Sequence, residues 1–231
     1  IKTICESIKK SDGITLIYSE HIDGGVIPMA LAIEEMGYRR YGKTKSFFKT
    51  PPSERVGSYI IISGTKTISP DNDGEIKAAV KENNKNGEII KVIIISRAGA
   101  EGIDFKYIRQ IHLMEPWYNL NRIEQILGRG VRTCSHIKLP FEKRNVQIYL
   151  HGTLLNTMTD NEAVDLYVYR KAEEKSIKIG KVTRVLKENA VDCVLNVEQN
   201  YFAEDFMDLE VNQTLSDNSK IKYRVGDKPY S

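Results

Sequence analysis

The chain has 231 residues, of which 41% are hydrophobic and 28% are charged, and its formal net charge is +3. This length can form one domain of common size with an appendage, and the composition is that of an ordinary soluble protein. The sequence contains no run of about eighteen apolar residues and no signal pattern, so it supports neither a membrane span nor secretion. Its three cysteines are too few and too scattered for a disulfide framework or a metal site.

Short apolar runs rich in β-branched residues predict buried strands, and apolar residues at helical spacing predict helices between them. The predicted strands are 14–19, 58–65, 89–96, one starting at Ile108, and 146–150, and the predicted helices include 29–36 and 71–84. Strands that alternate with helices predict an α/β fold with a parallel sheet and helices on both faces. Ser19, Ser63 and Ser96 each end a predicted strand, and ligands bind at the carboxyl ends of parallel strands. We therefore expect one binding face at that edge.

Residues 37–44 read GYRRYGKT and satisfy the phosphate-loop pattern GxxxxGK[ST] letter for letter. A phosphate loop needs an apolar strand before it and a helix after it, so that backbone N–H groups and the helix dipole converge on the phosphates. Here a helical segment precedes the match, bulky side chains fill it, and two prolines follow it. We interpret the match as coincidental.

Residues 123–132, IEQILGRGVR, place Arg129 and Arg132 three positions apart, so on a helix the two guanidinium groups share one face. Two such groups can bind one phosphate chain, and an arginine directed at a transferring phosphoryl group contributes roughly 10³–10⁵ in rate. Gln125, one turn before Arg129, can add an amide. A surface helix end with solvated arginines would show the same letters.

The spacing QxxGRxxR is similar to motif VI of superfamily 2 helicases. About thirty residues upstream, residues 92–104 (VIIISRAGAEGID) resemble motif V, and residues 14–19 resemble motif IV. EPWYN at 115–119 resembles the D-x-W-N segment of chromatin-remodeller translocases. The resemblance covers residues 11–152 and implies the second RecA-like lobe of a superfamily 2 motor.

The resemblance implies a role for each motif residue. Arg129 and Arg132 would act on the nucleotide phosphates, with Gln125 between the nucleotide and motif V. The residues that would border bound ATP are Gly102, Asp104 and Gly128. The residues that would contact a nucleic-acid backbone are Ser19, Gly64, Thr65, Ser96, Arg97 and Ala98. Trp117 would sense or stack on nucleic acid, with a packed tryptophan under a loop as the alternative.

After His151 the pattern changes. Apolar residues at helical spacing predict two helices, over 161–175 and 177–193, and the polar residues from 200 onward predict an extended or partly disordered tail with a short strand near 220–225. We therefore expect a lobe over 1–155, a small helical C-terminal extension over 156–199 and a tail over 200–231. The segment AEEKSIKIGKVTRVLKENAVDC is similar to a region of helicases from the poxvirus, asfarvirus and mimivirus group of nucleocytoplasmic large DNA viruses.

By this resemblance the chain is the C-terminal lobe of an ATP-dependent helicase or translocase, and we expect a fragment because it begins at Ile1 rather than Met. ATP would be used with Mg²⁺, whose ligands would lie on an N-terminal RecA-like lobe of the same protein, so the chain alone should not hydrolyse ATP. We expect DNA or RNA as a partner, no membrane, a place in viral transcription or replication machinery, and a location in host cytoplasm or virion. The alternatives are a catalytically silent RecA-like docking module of a viral transcription factor and a self-sufficient phosphate-loop enzyme that uses Lys43.

Overall fold

The structure, a computed structural model, describes residues 1–42, 45–50, 52–97, 102–154, 162–190, 208, 210–214 and 219–224. The chain divides into two compact units, Ile1–Lys175 and Ser176–Ser231. Within the described residues, none of the helices combines the length and the apolar character needed to cross a membrane.

The first unit contains a six-stranded sheet in the order β2-β3-β4-β1-β5-β6, and every neighbouring pair is parallel. The strands are β1 (Ile14–Tyr18), β2 (Tyr38–Arg40), β3 (Gly57–Ile62), β4 (Val92–Ile95), β5 (Ile108–Leu113) and β6 (Gln147–Leu150). The central strands β1 and β4 are buried at every position. Burial on both faces explains why they are continuous apolar runs rather than alternating ones.

Helices cover both faces of this sheet. The helices of the first unit are α1 (Lys2–Lys10), α2 (Ile27–Glu35), α3 (Asn72–Ala79), α4 (Leu120–Gly130) and the start of α5 (Val164–Glu188). Neighbouring residues of β1 point to opposite faces: Leu16 packs in a core with residues of α3 and α4, and Ile17 in a core with residues of α1 and α2. The predicted α/β sheet with helices on both faces and a helical extension is confirmed.

Glycine lets α4 approach the sheet closely. A Cβ added to Gly130 would lie 3.0 Å from Ile111 Cδ1 and 3.2 Å from Ile108 Cβ. The same end of α4 is tied to the chain before β5, because Phe105 N donates to Arg129 O at 3.0 Å. This hydrogen bond fixes the C-terminal end of α4, where the arginines lie, against the residues that resemble motif V.

Several elements differ from the sequence pattern, and α1 and β2 form where no element was predicted. The predicted helix 71–84 ends at Ala79, because the buried Asn84 side chain donates to the backbone oxygens of Ala79 and Ile90 and accepts from two backbone N–H groups. One continuous helix, α5, replaces the two helices predicted between 161 and 193. In the second unit, β7 (Glu210–Thr214) and β8 (Lys220–Arg224) form an antiparallel pair, of which the sequence indicated only the second strand.

Candidate functional site

Three adjacent strands end in a serine at the same edge of the sheet. Ser63, Ser96 and Ser19 follow β3, β4 and β1, which are consecutive in the strand order, and all three are buried. The ladder continues into them: Ser96 N donates to Ile62 O at 3.0 Å and Ser19 N to Ile95 O at 3.1 Å. The structure therefore brings the three predicted strand ends together on one edge.

Two arginines of α4 and its C-terminal end meet one carboxylate. Asp104 Oδ2 lies 2.6 Å from an Nη atom of Arg132, and Asp104 Oδ1 lies 4.0 Å from an Nη atom of Arg129. Arg132 Nε also donates to Gly128 O at 3.0 Å, which holds the guanidinium group against the end of the helix. The residues that resemble motifs V and VI are thus joined by side chains as well as by backbone.

The arrangement fits a phosphate chain. Arg129 is 20% exposed, and its Nε is buried without a hydrogen-bond partner among the described residues, so one donor of the fork is unused. Among the described residues, added Cβ atoms at Gly102 and Gly128 would meet no neighbouring atom within 4 Å, so both glycines leave space in front of their backbone. Gly102 has φ of 73°, a left-handed conformation that glycine adopts without strain. Guanidinium groups beside open backbone are suited to phosphate oxygens.

Gln125 and Gly128 lie on α4, and Gly102 and Asp104 lie in the segment before β5. Gln125 is exposed, one turn before Arg129 on α4. The roles predicted for Gln125, Gly102, Asp104 and Gly128 stay predictions that rest on this placement.

The Ser19 hydroxyl is already engaged. It donates to Glu115 Oε1 at 2.5 Å, and His21 N donates to it at 3.3 Å. The second Glu115 oxygen accepts from Glu20 N at 3.2 Å, and burial raises the pKa of the Glu115 carboxyl above its ordinary value. Ser19 therefore holds the turn after β1 to the turn after β5, and direct contact of its hydroxyl with a nucleic acid would require these bonds to open.

The remaining residues predicted to contact nucleic acid differ in exposure. Gly64, Thr65 and Arg97 are exposed at the carboxyl edge, whereas Ser96 is buried. Ala98 lies outside the described residues. The exposed residues keep their backbone or charged groups available for a ligand, and their roles stay predictions.

A charged cluster at the same edge was missed by the sequence reasoning. Glu20 Oε2 accepts from Arg122 Nη1 at 2.6 Å and from the Tyr18 hydroxyl at 2.7 Å, and Glu20 Oε1 lies 3.5 Å from Arg97 Nη1. The Arg122 guanidinium group lies over the Trp117 ring, 3.6 Å from its centroid. The available signal was a carboxylate directly after a strand-ending serine and an arginine in the first turn of the helix that follows β5, the strand that pairs with β1 in the parallel sheet.

The phosphate-loop match has the wrong local structure. Strand β2 occupies its middle and follows helix α2, so a helix rather than a buried strand precedes the glycine-rich segment. Lys43 and Thr44 lie outside the described residues. Across the described part of the chain, no group of three or more His, Cys, Asp or Glu side chains is placed to hold a metal ion.

Comparisons with known proteins agree with this geometry. Residues 57–134 match the model of the helicase conserved C-terminal domain. The chain is 33% identical over 190 residues to a protein of Invertebrate iridescent virus 3 named as a helicase, covering 81% of this chain and 19% of that protein. It is 28% identical over 235 residues to a termination factor NPH-I homologue of African swine fever virus, covering 85% of this chain and 33% of the relative. It is 31% identical over 189 residues to a protein of Acanthamoeba polyphaga mimivirus named as an ATP-dependent RNA helicase, covering 82% of this chain and 35% of that protein.

The chain thus spans between 19% and 35% of the length of these three relatives. Among solved structures, the C-terminal part of the Fun30 ATPase domain aligns with 74% of this chain and 44% of its own, at 14% identity and a TM-score of 0.49. The matched domain, the viral relatives and the two joined motifs place the chain among the superfamily 2 helicases, as a C-terminal lobe of the nucleocytoplasmic large DNA virus type.

Proposed function

We propose that this chain is the C-terminal half of an ATP-dependent helicase or translocase. In this proposal Arg129 and Arg132 bind the phosphates of an ATP molecule that is held mainly by an N-terminal RecA-like lobe. Bound ATP with Mg²⁺ would supply the free energy of phosphoanhydride hydrolysis. The lobe described here would supply positioned positive charge on one side of the nucleotide and contacts to a nucleic-acid backbone along its carboxyl edge.

The observation that carries the proposal is the convergence of both arginines on Asp104. Two guanidinium groups near one carboxylate, at 2.6 and 4.0 Å, leave an excess of one positive charge at an accessible point. A phosphate chain brought to that point carries more negative charge than the Asp104 carboxylate, and each guanidinium group can bind two of its oxygens. Since Arg129 is largely buried and also donates to Ile103 O at 3.5 Å, its orientation is set before a ligand arrives. Preorganised charge of this kind stabilises a transition state without a further ordering cost.

Removing each arginine in the full-length protein tests the proposal. Arg129→Ala and Arg132→Ala should lower kcat for ATP hydrolysis by roughly 10³-fold, in the range of other arginine fingers, and should spare much of the nucleotide affinity. Arg170→Ala is the matched control, because Arg170 is 46% exposed and the partners described for it are Glu162, Glu174 and the Tyr167 ring, none of which belongs to the motifs. Normal turnover in both motif variants would refute the assignment.

We propose DNA or RNA as the partner of the carboxyl edge. Gly64 and Thr65 after β3 and Arg97 after β4 are exposed on neighbouring strand ends, so a sugar-phosphate backbone crossing that edge would meet them in succession. Main-chain N–H groups and arginine are common donors to phosphate. Because such contacts are largely electrostatic, binding should weaken steeply as salt rises.

A second candidate is a catalytically silent docking module of a viral transcription factor. It is favoured by one relative, whose name describes a termination factor NPH-I homologue. The arginine experiment distinguishes the two: a silent module predicts no hydrolysis in the full-length protein and no loss on changing Arg129. The intact pair of arginines facing Asp104 supports the catalytic alternative.

A further inference from the structure

The carboxyl edge that would carry nucleic-acid phosphates already contains a largely buried negative charge. Glu20 is 15% exposed at its side chain and directly follows Ser19 at the end of β1. It pairs with Arg122, which is 20% exposed, at 2.6 Å, and with Arg97, which is 64% exposed, at 3.5 Å. A carboxylate in this position repels phosphate unless its arginine partners compensate for it.

We propose that Glu20 holds Arg97 and Arg122 as an internal substitute for a nucleic-acid phosphate, and that bound nucleic acid takes these arginines from it. The inference rests on the proposed nucleic-acid binding at this edge and names the residues that set its strength. Glu20 would act as a competitor that weakens binding, rather than as a contact that supports it.

The two ion pairs differ in how readily they exchange. Arg97 is mostly in solvent and its 3.5 Å pair is of the exposed type, which contributes little to stability. A phosphate offers the same guanidinium group bidentate oxygens and a full charge. Arg97 should therefore exchange first, at small cost.

Arg122 is held more firmly, by a carboxylate and an aromatic ring. It lies in the first turn of α4, in which no acidic residue offsets the positive end of the helix dipole, so it needs a nearby anion. Glu20 supplies that anion, and the Trp117 ring supplies a cation–π contact at 3.6 Å. A phosphate that replaced Glu20 would satisfy the same helix terminus and keep the arginine on the ring.

The exchange takes place on the helix that carries the nucleotide-facing arginine. Arg122 lies near the start of α4 (Leu120–Gly130) and Arg129 near its end. Contact of nucleic acid with Arg122 thus acts on the element whose other end faces Asp104. Glu20 thus sets the strength of nucleic-acid binding, with no role assigned in the chemistry.

Binding of a fluorescein-labelled oligodeoxythymidine of about 16 nucleotides to the 231-residue chain tests the proposal, measured by anisotropy at several salt concentrations. Glu20→Gln should bind about fivefold more tightly at low salt, which is the most that an exposed ion pair such as Glu20–Arg97 contributes. Its slope of log affinity against log salt should steepen by about 0.7 for each additional phosphate that the protein neutralises. Glu6→Gln, an exposed carboxylate of α1, removes the same charge and should match the wild type.

Two further variants keep the proposal falsifiable if Glu20→Gln folds poorly, which circular dichroism melting would show. Glu20→Asp keeps the charge but withdraws it by one methylene, so its affinity should fall between those of the wild type and Glu20→Gln. Arg97→Ala should cost more affinity in the Glu20→Gln background than in the wild type, because only in that background does Arg97 bind phosphate without giving up a carboxylate partner.

Each outcome decides a different claim. Tighter binding with a steeper salt slope supports the proposal, and equal or weaker binding by both Glu20 variants overturns it, since Glu20 would then only support the fold. Absence of any binding by the wild type overturns the nucleic-acid part of the proposed function together with this inference.

Discussion

At the scale of single residues, Gly25 shows how tightly the turn after β1 is packed. A Cβ added to it would lie 2.8 Å from Ser19 Cβ and 2.9 Å from Glu115 Oε1, and it would overlap the Ser19 hydroxyl itself. The hydroxyl and the carboxylate are the pair that joins the ends of β1 and β5. Glycine is therefore required here by space, and the side chains that surround it have nowhere to move without losing their hydrogen bonds.

Gly25→Ala should lower the free energy of unfolding by about 1–3 kcal/mol, the usual cost of overpacking a filled site. Gly180→Ala is the matched control, because an added Cβ at this position of α5 meets no neighbouring atom of the described residues within 4 Å. That control should gain about 0.5–1 kcal/mol from helix propensity. Urea unfolding of both variants measures the difference, and equal effects of the two substitutions would show that the turn adapts.

At the scale of elements, two histidines join β5 to β6. His112 is fully buried on β5, its Nδ1 lies 2.9 Å from His151 Nε2 after β6, and its ring stacks on Tyr149 with centroids 4.6 Å apart. Burial, with a smaller effect of His151, lowers the pKa of His112 to about 3, and burial also lowers the pKa of His151. Both rings are therefore neutral at neutral pH, so one ring donates the hydrogen bond between them and the other accepts it.

The depressed pKa of His112 predicts a loss of stability in acid. Between pH 6.5 and about 3 the unfolded chain binds a proton that the folded chain does not, so the free energy of unfolding should fall as pH falls through that window. The slope is about 1.4 kcal/mol per pH unit at most. His112→Gln cannot titrate, so the wild-type minus variant difference should shrink steadily from pH 6.5 downward. A difference that is independent of pH would contradict the assignment.

A buried ion pair joins β2 to α3, and it makes the free energy of unfolding depend on pH in the opposite direction to His112. Arg40 and Glu75 are 1% and 4% exposed, and their charged atoms lie 3.7 Å apart. Burial outweighs the attraction of Arg40 and raises the pKa of the Glu75 carboxyl from 4.5 to about 7. Between these values the folded state binds the extra proton, so the free energy of unfolding should fall as pH rises.

Glu75→Gln should therefore become more stable relative to the wild type as pH rises from 4.5 to about 7, and the difference should level off above that range. Thermal melts at half-unit pH intervals would measure it. Because His112 and Glu75 have opposing slopes where their windows overlap, the wild-type profile alone would hide both, and each variant must be compared with the wild type. A constant difference across the window would show that Glu75 is ionised throughout.

The elements that could be predicted from the sequence are those in which the residue types alone indicate whether each position is buried. Runs such as ITLIY and VIII are almost wholly apolar because both faces of the strand are covered, and β1 and β4 were predicted on that basis. Strand β2 could not be predicted, since Arg40 is buried against Glu75 and over the Tyr59 ring, partners that only the fold supplies. The end of α3 likewise depends on side-chain bonds of Asn84 that no local propensity indicates.

At the scale of the whole molecule, the candidate site combines predicted and unpredicted parts. The resemblance assigned Asp104, Arg129 and Arg132 to one nucleotide site, but it did not predict the ion pairs that the structure shows between Asp104 and the two arginines. The same reasoning placed Ser19 at the correct edge but could not show that its hydroxyl is bonded to Glu115, which is far away in sequence. It also missed Glu20 and Arg122, because opposite charges far apart in the chain carry no periodic signal.

The central claim is that this lobe supplies arginines to a nucleotide that is bound mainly elsewhere. It is tested most directly by ATP hydrolysis of the 231-residue chain alone, with and without single-stranded DNA, beside the Lys43→Ala variant and with a cooperative melt as proof of folding. The account predicts no turnover in either protein. Turnover by the wild-type chain that disappears on changing Lys43 would contradict it, because the phosphate-loop match would then be the active site.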